Sequence, residues 1–345
     1  MKRRCVIEAA IGEDRAAIYE GKKCVELYTR RWTQAAKPHA GDIYNGRVGK
    51  VDKSVGAAFV DLGTKTDGFL KFSMAPNAPR FREGQAIEVE VVRAAEAEKG
   101  PVLKFRATSE TQTVSETQKV GRIAGDDLQA FIARRFSNDV SFETANVNSV
   151  EMACDREIAI PGGGSIAIDF TRALVAIDVD KGASNSGFAV GQSVAPLIAD
   201  QLRLRGIGGL IVIDLPNVRQ PRQREALHAT MIEAFKDDPH KIKIAPMSRF
   251  GTVQMTRSKM GPSLDETIND RFGRPTVETR ALTGLRRLVR EGEIQGGARL
   301  TLFAPEDVMA WLKAGHIDWE TAMTERIGAR FKLEAGPHLD VKADR

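Results

Sequence analysis

Ala173-Leu174-Val175-Ala176-Ile177-Asp178 and Gly209-Leu210-Ile211-Val212-Ile213-Asp214 are two short apolar runs, rich in β-branched residues, each closing on an aspartate. Runs of this length and composition read as buried strands. A carboxylate at the close of such a run is expected where the strand leaves the core. Between them, residues 189–205 place Val190, Val194, Leu197, Ile198 and Leu202 at the spacing of an amphipathic helix. Strand, helix and strand in this order predict a βαβ unit with parallel, adjacent strands. Asp178 and Asp214 are 214 − 178 = 36 residues apart. The crossover is expected to bring both to one sheet edge, where open α/β sheets hold ligands. Two carboxylates meeting there suit a hard cation such as Mg²⁺.

The remaining composition sets bounds. A chain of 345 residues holds two or three domains. Hydrophobic content of 42% and charged content of 28% are those of a soluble globular protein. The net charge of +5 is compatible with a polyanionic partner without establishing one. Cys5, Cys24 and Cys154 are unclustered, giving neither a disulfide framework nor a Cys-x-x-Cys zinc site. They point to a reducing compartment. No long apolar region follows the basic start, and no run reaches the roughly 20 residues needed to cross a bilayer. The expectation is a cytoplasmic protein.

Along the chain, residues 1–37 suggest strands at 4–10, 16–19 and 23–28, too short a piece to bury a core alone. Residues 41–107 suggest strands at 43–51, 56–62, 67–72, 86–92 and 102–106, which fit an OB-fold barrel. Phe59 and Phe69 are either core residues or stacking platforms for bases, because a strand pattern does not say which face is exposed. Arg47, Lys50, Lys53 and Lys65 lie nearby. Residues 108–126 read as a polar linker and 126–136 as a helix. Gly162-Gly163-Gly164 reads as a tight turn and not a phosphate cradle, since a strand and no helix follows it. A helix is expected over 220–235, with strands at 241–245 and 251–255. Arg249 and Arg257 are either phosphate clamps or solvated surface. The last stretch, 276–345, reads as a small α/β unit with helices at 280–291 and 305–313 and strands at 298–303, 330–333 and 339–341. His316 and His338 have no companions at metal-ligand spacing. There is no Walker sequence, nucleophile elbow or His-Glu-x-x-His.

Several segments together carry a resemblance. They are Asp42-Ile43-Tyr44-Asn45-Gly46-Arg47-Val48, Ala57–Asp61 with Leu62-Gly63, Gly68-Phe69-Leu70, Gly163-Gly164 with Ser165-Ile166-Ala167-Ile168-Asp169, the two aspartate runs, Gln201-Leu202-Arg203-Leu204-Arg205, Ser248-Arg249-Phe250-Gly251 and Gly261-Pro262-Ser263-Leu264. In this order they resemble the ribonuclease E/G family of bacterial endoribonucleases. The resemblance implies an α/β multidomain fold, with a DNase I-like catalytic α/β core, an inserted OB-fold barrel of S-one type and a small C-terminal α/β domain. The implied boundaries are 1–37 for an N-terminal piece of a reduced RNase H-like subdomain and 38–107 for the RNA-binding OB-fold. A linker and shortened RNase H-like/5′-sensor remnant take 108–158, the catalytic subdomain 159–275 and the small domain 276–345. The implied activity is Mg²⁺-dependent cleavage of single-stranded RNA in RNA processing or decay, leaving 5′-phosphate and 3′-hydroxyl ends. Asp178 and Asp214 are the implied metal ligands, assisted by Asp180. Phe59, Phe69 and Lys99 correspond to RNA contacts of the barrel, and Arg249, Arg257 and Lys259 are further candidates for the RNA backbone.

Four departures qualify the resemblance. The family has asparagine where this chain has Asp180, and the added charge is expected to tune metal binding or lower activity. The family's zinc-link cysteines are missing near Arg274-Pro275-Thr276-Val277. No structural zinc is therefore expected, and the protein is a monomer or a homodimer formed without it. Only 162 − 107 = 55 residues separate the barrel from Gly162. Most of the 5′-monophosphate sensor is thus missing and little 5′-end dependence is expected. The family's long scaffold beyond the small domain is not expected here. The rival reading is an RNA-binding paralogue with weak or no nuclease activity, acting for example on ribosomal RNA.

Overall fold

The computed structural model describes residues 3–75, 80–95, 99–108, 119–125, 127–137, 139–184, 186–216, 218 and 220–344. Two compact units make up the chain. One holds Met1–Thr33, Ser141–Ser258 and Ser263–Arg345, and the other Gln34–Val140 with Lys259–Pro262. The second unit is thus an insertion within the first.

The first unit starts with an antiparallel meander, β1 (Arg3–Ala10), β2 (Glu13–Glu20) and β3 (Lys23–Arg31). The tight β1–β2 turn carries Gly12 at φ +88°, a conformation that penalises a side chain.

The inserted unit contains β4 (Ile43–Asp52), β5 (Ala57–Asp61), β6 (Gly68–Lys71), β7 (Ala86–Arg93) and β8 (Val102–Thr108). Strand β4 pairs with both β5 and β7, so these five strands close on themselves. Val48, Val60, Leu62, Leu70, Ile87, Val89 and Leu103 fill the barrel. Part of the expected linker is itself a strand: β9 (Gly121–Ala124) extends the sheet beside β4. Residues 109–118 and Asp126 of that stretch lie outside the described residues. Helix α1 (Leu128–Arg135) follows, capped by Asp127, whose carboxylate accepts the Ala130 amide at 2.7 Å.

Back in the first unit, β10 (Val140–Thr144) joins the meander beside β1. After α2 (Ser149–Ala153) come β11 (Glu157–Ala159), β12 (Ser165–Phe170), β13 (Val175–Asp180), α3 (Gly187–Leu204), β14 (Gly209–Asp214), α4 (Pro221–Ala234), β15 (Ile242–Ile244), β16 (Thr252–Arg257) and α5 (Leu264–Ile268). The sheet order is β11-β12-β13-β14-β16-β15, and within it β13 and β14 run parallel. Helix α3 is the crossover that makes them so. Val190, Val194, Ile198 and Leu202 of α3, with Leu227 and Met231 of α4, pack on Ile168, Ile177, Ile211, Ile213 and Val253. These helices cover one sheet face. The alternate residues, Ala176, Asp178, Asp180, Val212 and Asp214, are half-buried or exposed. The aspartates therefore meet solvent through the period-2 alternation of a half-covered sheet, and Asp178 is followed in its strand by buried Val179. For Asp178 this corrects the expectation that the carboxylate marks the end of its strand, whereas Asp214 is the last residue of β14.

The meander gains its core from downstream, as a piece of that size requires. Val6, Ala17 and Leu27 pack on Val147, Val150, Leu264 and Ile268. The last segment has α6 (Val277–Ile294), β17 (Arg299–Ala304), α7 (Glu306–Lys313), α8 (Trp319–Ile327), β18 (Phe331–Ala335) and β19 (Asp340–Asp344). Strand β17 is central, parallel to β18 and antiparallel to β19. Helices α2, α5 and α8 are additions to the sequence reading. Trp319, Met323 and Ile327 supplied the helical period of α8.

Candidate active site

Asp178 and Asp214 are direct register partners on β13 and β14. Adjacent strands lie about 4.8 Å apart, so the two carboxylates leave the same face side by side. Among the described residues neither makes a hydrogen bond or ion pair. Like charges directly opposite in a sheet are destabilising unless a cation neutralises them. The pair lines a cleft of about 390 Å³ together with Leu215, Pro216, Arg224, Arg249, Phe250 and Gly251.

Local chemistry fixes each wall. The Ser248 hydroxyl accepts the amides of Phe250 and Thr252, each at 3.2 Å, and exchanges a 2.8 Å hydrogen bond with the Thr252 hydroxyl. Gly251 turns at φ +91°. This hydroxyl-held turn presents Arg249 and a Phe250 ring that is 93% exposed. Across from it, Arg224 on the first turns of α4 donates through Nε to the Val218 carbonyl at 2.7 Å. The sequence reading missed Arg224 and Phe250 as site residues. Phe250 was readable as an aromatic within Ser248-Arg249-Phe250-Gly251, whereas nothing local marked Arg224.

Asp180 lies two residues beyond Asp178 on the same exposed face. Its Oδ1 accepts the Gly182 amide at 2.9 Å, an Asx turn that ends the strand. The triglycine turn sits against this loop. A Cβ on Gly164 would fall 2.2 Å from the Asp180 carbonyl oxygen. Gly164 is therefore needed for close backbone packing behind Asp180.

The donor set suits a hard divalent cation. The two candidate donors are carboxylates, and among the described residues no group of three or more His, Cys, Asp or Glu is placed to hold a metal ion. Mg²⁺ commonly takes one or two protein carboxylates and fills its remaining positions with water and phosphate oxygens.

Arg257 requires a correction. It is 2% exposed, donates through Nε to Asp238 at 2.9 Å and through Nη1 to the Ile207 carbonyl at 2.6 Å. A guanidinium held inside the sheet layer does not reach an RNA backbone. Lys259 is half-buried, belongs to the inserted unit and does not line the cleft. Arg249 does line it.

On the barrel, Phe59 and Phe69 stand opposite each other across β5 and β6, with ring centroids 5.6 Å apart. Ala58, Val60 and Leu70, their neighbours along the strands, point into the core. Alternation therefore puts both rings, each half-buried, on the outer face of the barrel and not among its core residues. The Phe69 amide donates to the Pro101 carbonyl at 2.7 Å, so exposed Lys99, two residues before Pro101, borders the strand carrying Phe69. Arg47, Lys50, Lys53 and Lys65 are exposed on the same barrel.

Residues 104–260 match the ribonuclease E/G family, and residues 37–106 match the S1 RNA binding domain. Ribonuclease E of Escherichia coli K12 is 34% identical over 168 residues, covering 44% of this chain and 16% of the relative. Ribonuclease E of Haemophilus influenzae is 38% identical over 127 residues, 35% of this chain and 14% of the relative. Ribonuclease G of Escherichia coli K12 is 26% identical over 204 residues, 55% of this chain and 42% of the relative. The matched segments thus span less than half of each relative.

Proposed function

From its membership of the ribonuclease E/G family, we propose that the protein is an endoribonuclease that cleaves single-stranded RNA with Mg²⁺, leaving 5′-phosphate and 3′-hydroxyl ends. The observation that carries this reading is the in-register pair Asp178 and Asp214 in an open cleft with Arg224 and Arg249. Asp178 and Asp214 would hold the ion. When bound, it would lower the pKa of an attacking water and neutralise charge on the scissile phosphate. The chain's own residues supply binding and orientation. Arg249 and Arg224 bring positive charge to the phosphate, Arg249 as an exposed donor and Arg224 from a fixed position on α4. Phe250 offers a ring for a base beside the scissile position. Asp180 keeps the strand end in place through its turn. Phe59, Phe69 and Lys99 hold the strand on the barrel.

The proposal extends to role and setting. The protein acts in RNA processing or decay in the cytoplasm, with little dependence on the RNA 5′ end. Residues 159–275 are its DNase I-like catalytic subdomain, 38–107 its RNA-binding barrel, 276–345 its small domain, 1–37 a piece of a reduced RNase H-like subdomain, and 108–158 a linker with a shortened RNase H-like and 5′-sensor remnant. It is a monomer or a dimer formed without zinc. The alternative, an RNA-binding paralogue with weak or no nuclease activity, is favoured by one feature: Asp180 adds a third carboxylate on the same face.

A labelled AU-rich RNA incubated with wild-type protein and Asp214→Asn, each with Mg²⁺ and with EDTA, tests the reading. Cleavage by the wild type with Mg²⁺ alone is expected. Cleavage that persists in Asp214→Asn removes the active-site assignment. Binding without cleavage in every lane selects the alternative.

A further inference from the structure

A second hollow lies on the first unit, away from the carboxylate cleft. It encloses about 490 Å³ between the turn joining β12 to β13 and the segment that follows α5. Strand β13 starts at this turn with Val175, and Asp178 lies 178 − 175 = 3 residues on. At strand rise that separates hollow and cleft by roughly 10 Å or more.

The walls combine arginines with aromatic rings. Arg156, Arg172 and Arg271 line it, with Phe170 half-buried and Phe272 55% exposed. The guanidinium of Arg271 lies 4.6 Å from the Phe272 ring centroid and that of Arg274 5.1 Å from it. Two of the acids nearby, Glu266 and Asp270, are already engaged by backbone amides. Glu266 accepts the Ser263 amide at 2.8 Å. Asp270 accepts the amides of Phe272 and Arg274 at 2.8 and 2.9 Å. Asp265 is 6% exposed and faces Arg205, and burial pushes its carboxyl above the usual range. Arg156 pairs with Asp169 at 3.3 Å. Arg172, by contrast, makes no ion pair among the described residues. Scattered surface arginines are ordinary. A concave site with a free cation, a second cation over a ring and that ring more than half exposed has the chemistry of a single-stranded nucleic acid groove.

We propose that this hollow is a second RNA subsite, taking backbone phosphates on Arg172 and Arg271 and a base on Phe272. The bound strand is the one whose scissile phosphate lies in the Asp178–Asp214 cleft, so the proposal rests on the endoribonuclease reading. A short RNA fills the cleft alone, and a longer one also reaches the hollow.

The test compares cleavage of 5′-hydroxyl RNAs of about 5 and about 14 nucleotides, a range that brackets typical single-strand sites. The wild type, Arg172→Glu, Phe272→Ala and Phe272→Trp are assayed with Mg²⁺. For the longer RNA, Arg172→Glu and Phe272→Ala are each expected to raise KM roughly tenfold with kcat unchanged, the scale of one lost stacked base or clamped phosphate. For the shorter RNA KM stays at the wild-type value, and Phe272→Trp restores the longer one. Equal KM values for wild type and variants on the longer RNA overturn the subsite while cleavage itself stands. A rise that is the same for both lengths overturns it too, because it reports a structural defect. A fall in oligomer mass by light scattering, with KM unchanged, assigns the hollow to a protein contact instead. Absence of cleavage by the wild type on either RNA removes the endoribonuclease reading and the subsite with it.

Discussion

Asp178 and Asp214 face solvent as in-register neighbours on parallel strands, without a protein cation between them among the described residues. Their juxtaposition depends on α3 returning the chain to the same sheet end. Either Asp178→Asn or Asp214→Asn is expected to lower kcat for RNA cleavage by at least about a hundredfold, the scale of losing one electrostatic stabiliser. The melting temperature should stay or rise, because like-charge repulsion is removed. A cleavage assay beside a thermal melt checks both, and a variant that melts lower while still cleaving contradicts the assignment.

Asp180 combines a backbone role with a charge. Asn also accepts the Gly182 amide, so Asp180→Asn keeps the turn while removing one negative charge from the exposed face. The half-saturating Mg²⁺ concentration should rise severalfold, with kcat at saturating metal kept or increased. Asp180→Ala loses the turn as well and should fall below wild type at any Mg²⁺ concentration. A magnesium titration of the three proteins decides this.

The Phe59–Phe69 pair stands outside the barrel core. Phe59→Ala and Phe69→Ala should each weaken RNA binding roughly tenfold, since base stacking on an aromatic ring contributes about 1–3 kcal/mol. Stability should change little. Fluorescence anisotropy in EDTA isolates binding from cleavage. A large loss of stability with unchanged affinity would place the rings in the core instead.

Arg249 and Arg257 should separate cleanly. Arg249→Ala is expected to raise KM for RNA and leave the fold intact. Arg257→Ala strands the buried Asp238 carboxylate, which is 4% exposed, and should cost about 3 kcal/mol of stability. Urea unfolding and steady-state kinetics on the same preparations test the contrast.

Glu13 is the hub of a buried ion network. It is 1% exposed and accepts hydrogen bonds from Arg15 at 2.7 Å, from Arg31 at 3.3 Å and from Arg286. Arg15 also donates to Glu151, at 2.7 and 2.9 Å, so the network ties the meander to α2 and α6. Burial pushes the Glu13 carboxyl up, but the three arginines outweigh it and hold the group below its ordinary value of 4.5. A lowered folded-state value means stability that is fully present above 4.5 and lost as pH falls through the folded value. Glu13→Gln should therefore lose about 3–5 kcal/mol at neutral pH, the scale for breaking a buried pair. It should also unfold with a shallower pH dependence below about pH 4.5. Urea titrations at several pH values read both.

Much of this molecule was legible in its residues. The apolar runs around Asp178 and Asp214 and the helical spacing between them sufficed for the parallel pair, because local periodicity and the crossover rule act over short stretches. The barrel strands followed from alternation and turn residues. Trp319, Met323 and Ile327 carry the helical period of α8 in the sequence itself. The linker strand at 121–124 was not readable, since an edge strand takes its stability from the partner it finds in β4.

Which side each pattern faces is set by the folded chain. Alternation separates Phe59 from Ala58 but does not say which enters the core; that depends on where the closing strands lie. Arg257 carries the same charge as Arg249, and its burial is set by Asp238 and Ile207, which lie 19 and 50 residues away. Arg224 and Phe250 reach the aspartate cleft from separate segments. The elements and the paired carboxylates are written in the residues, because they rest on local period and chain connectivity. The tertiary structure decided burial and convergence, because a charge or a ring is placed by partners that are distant in the chain.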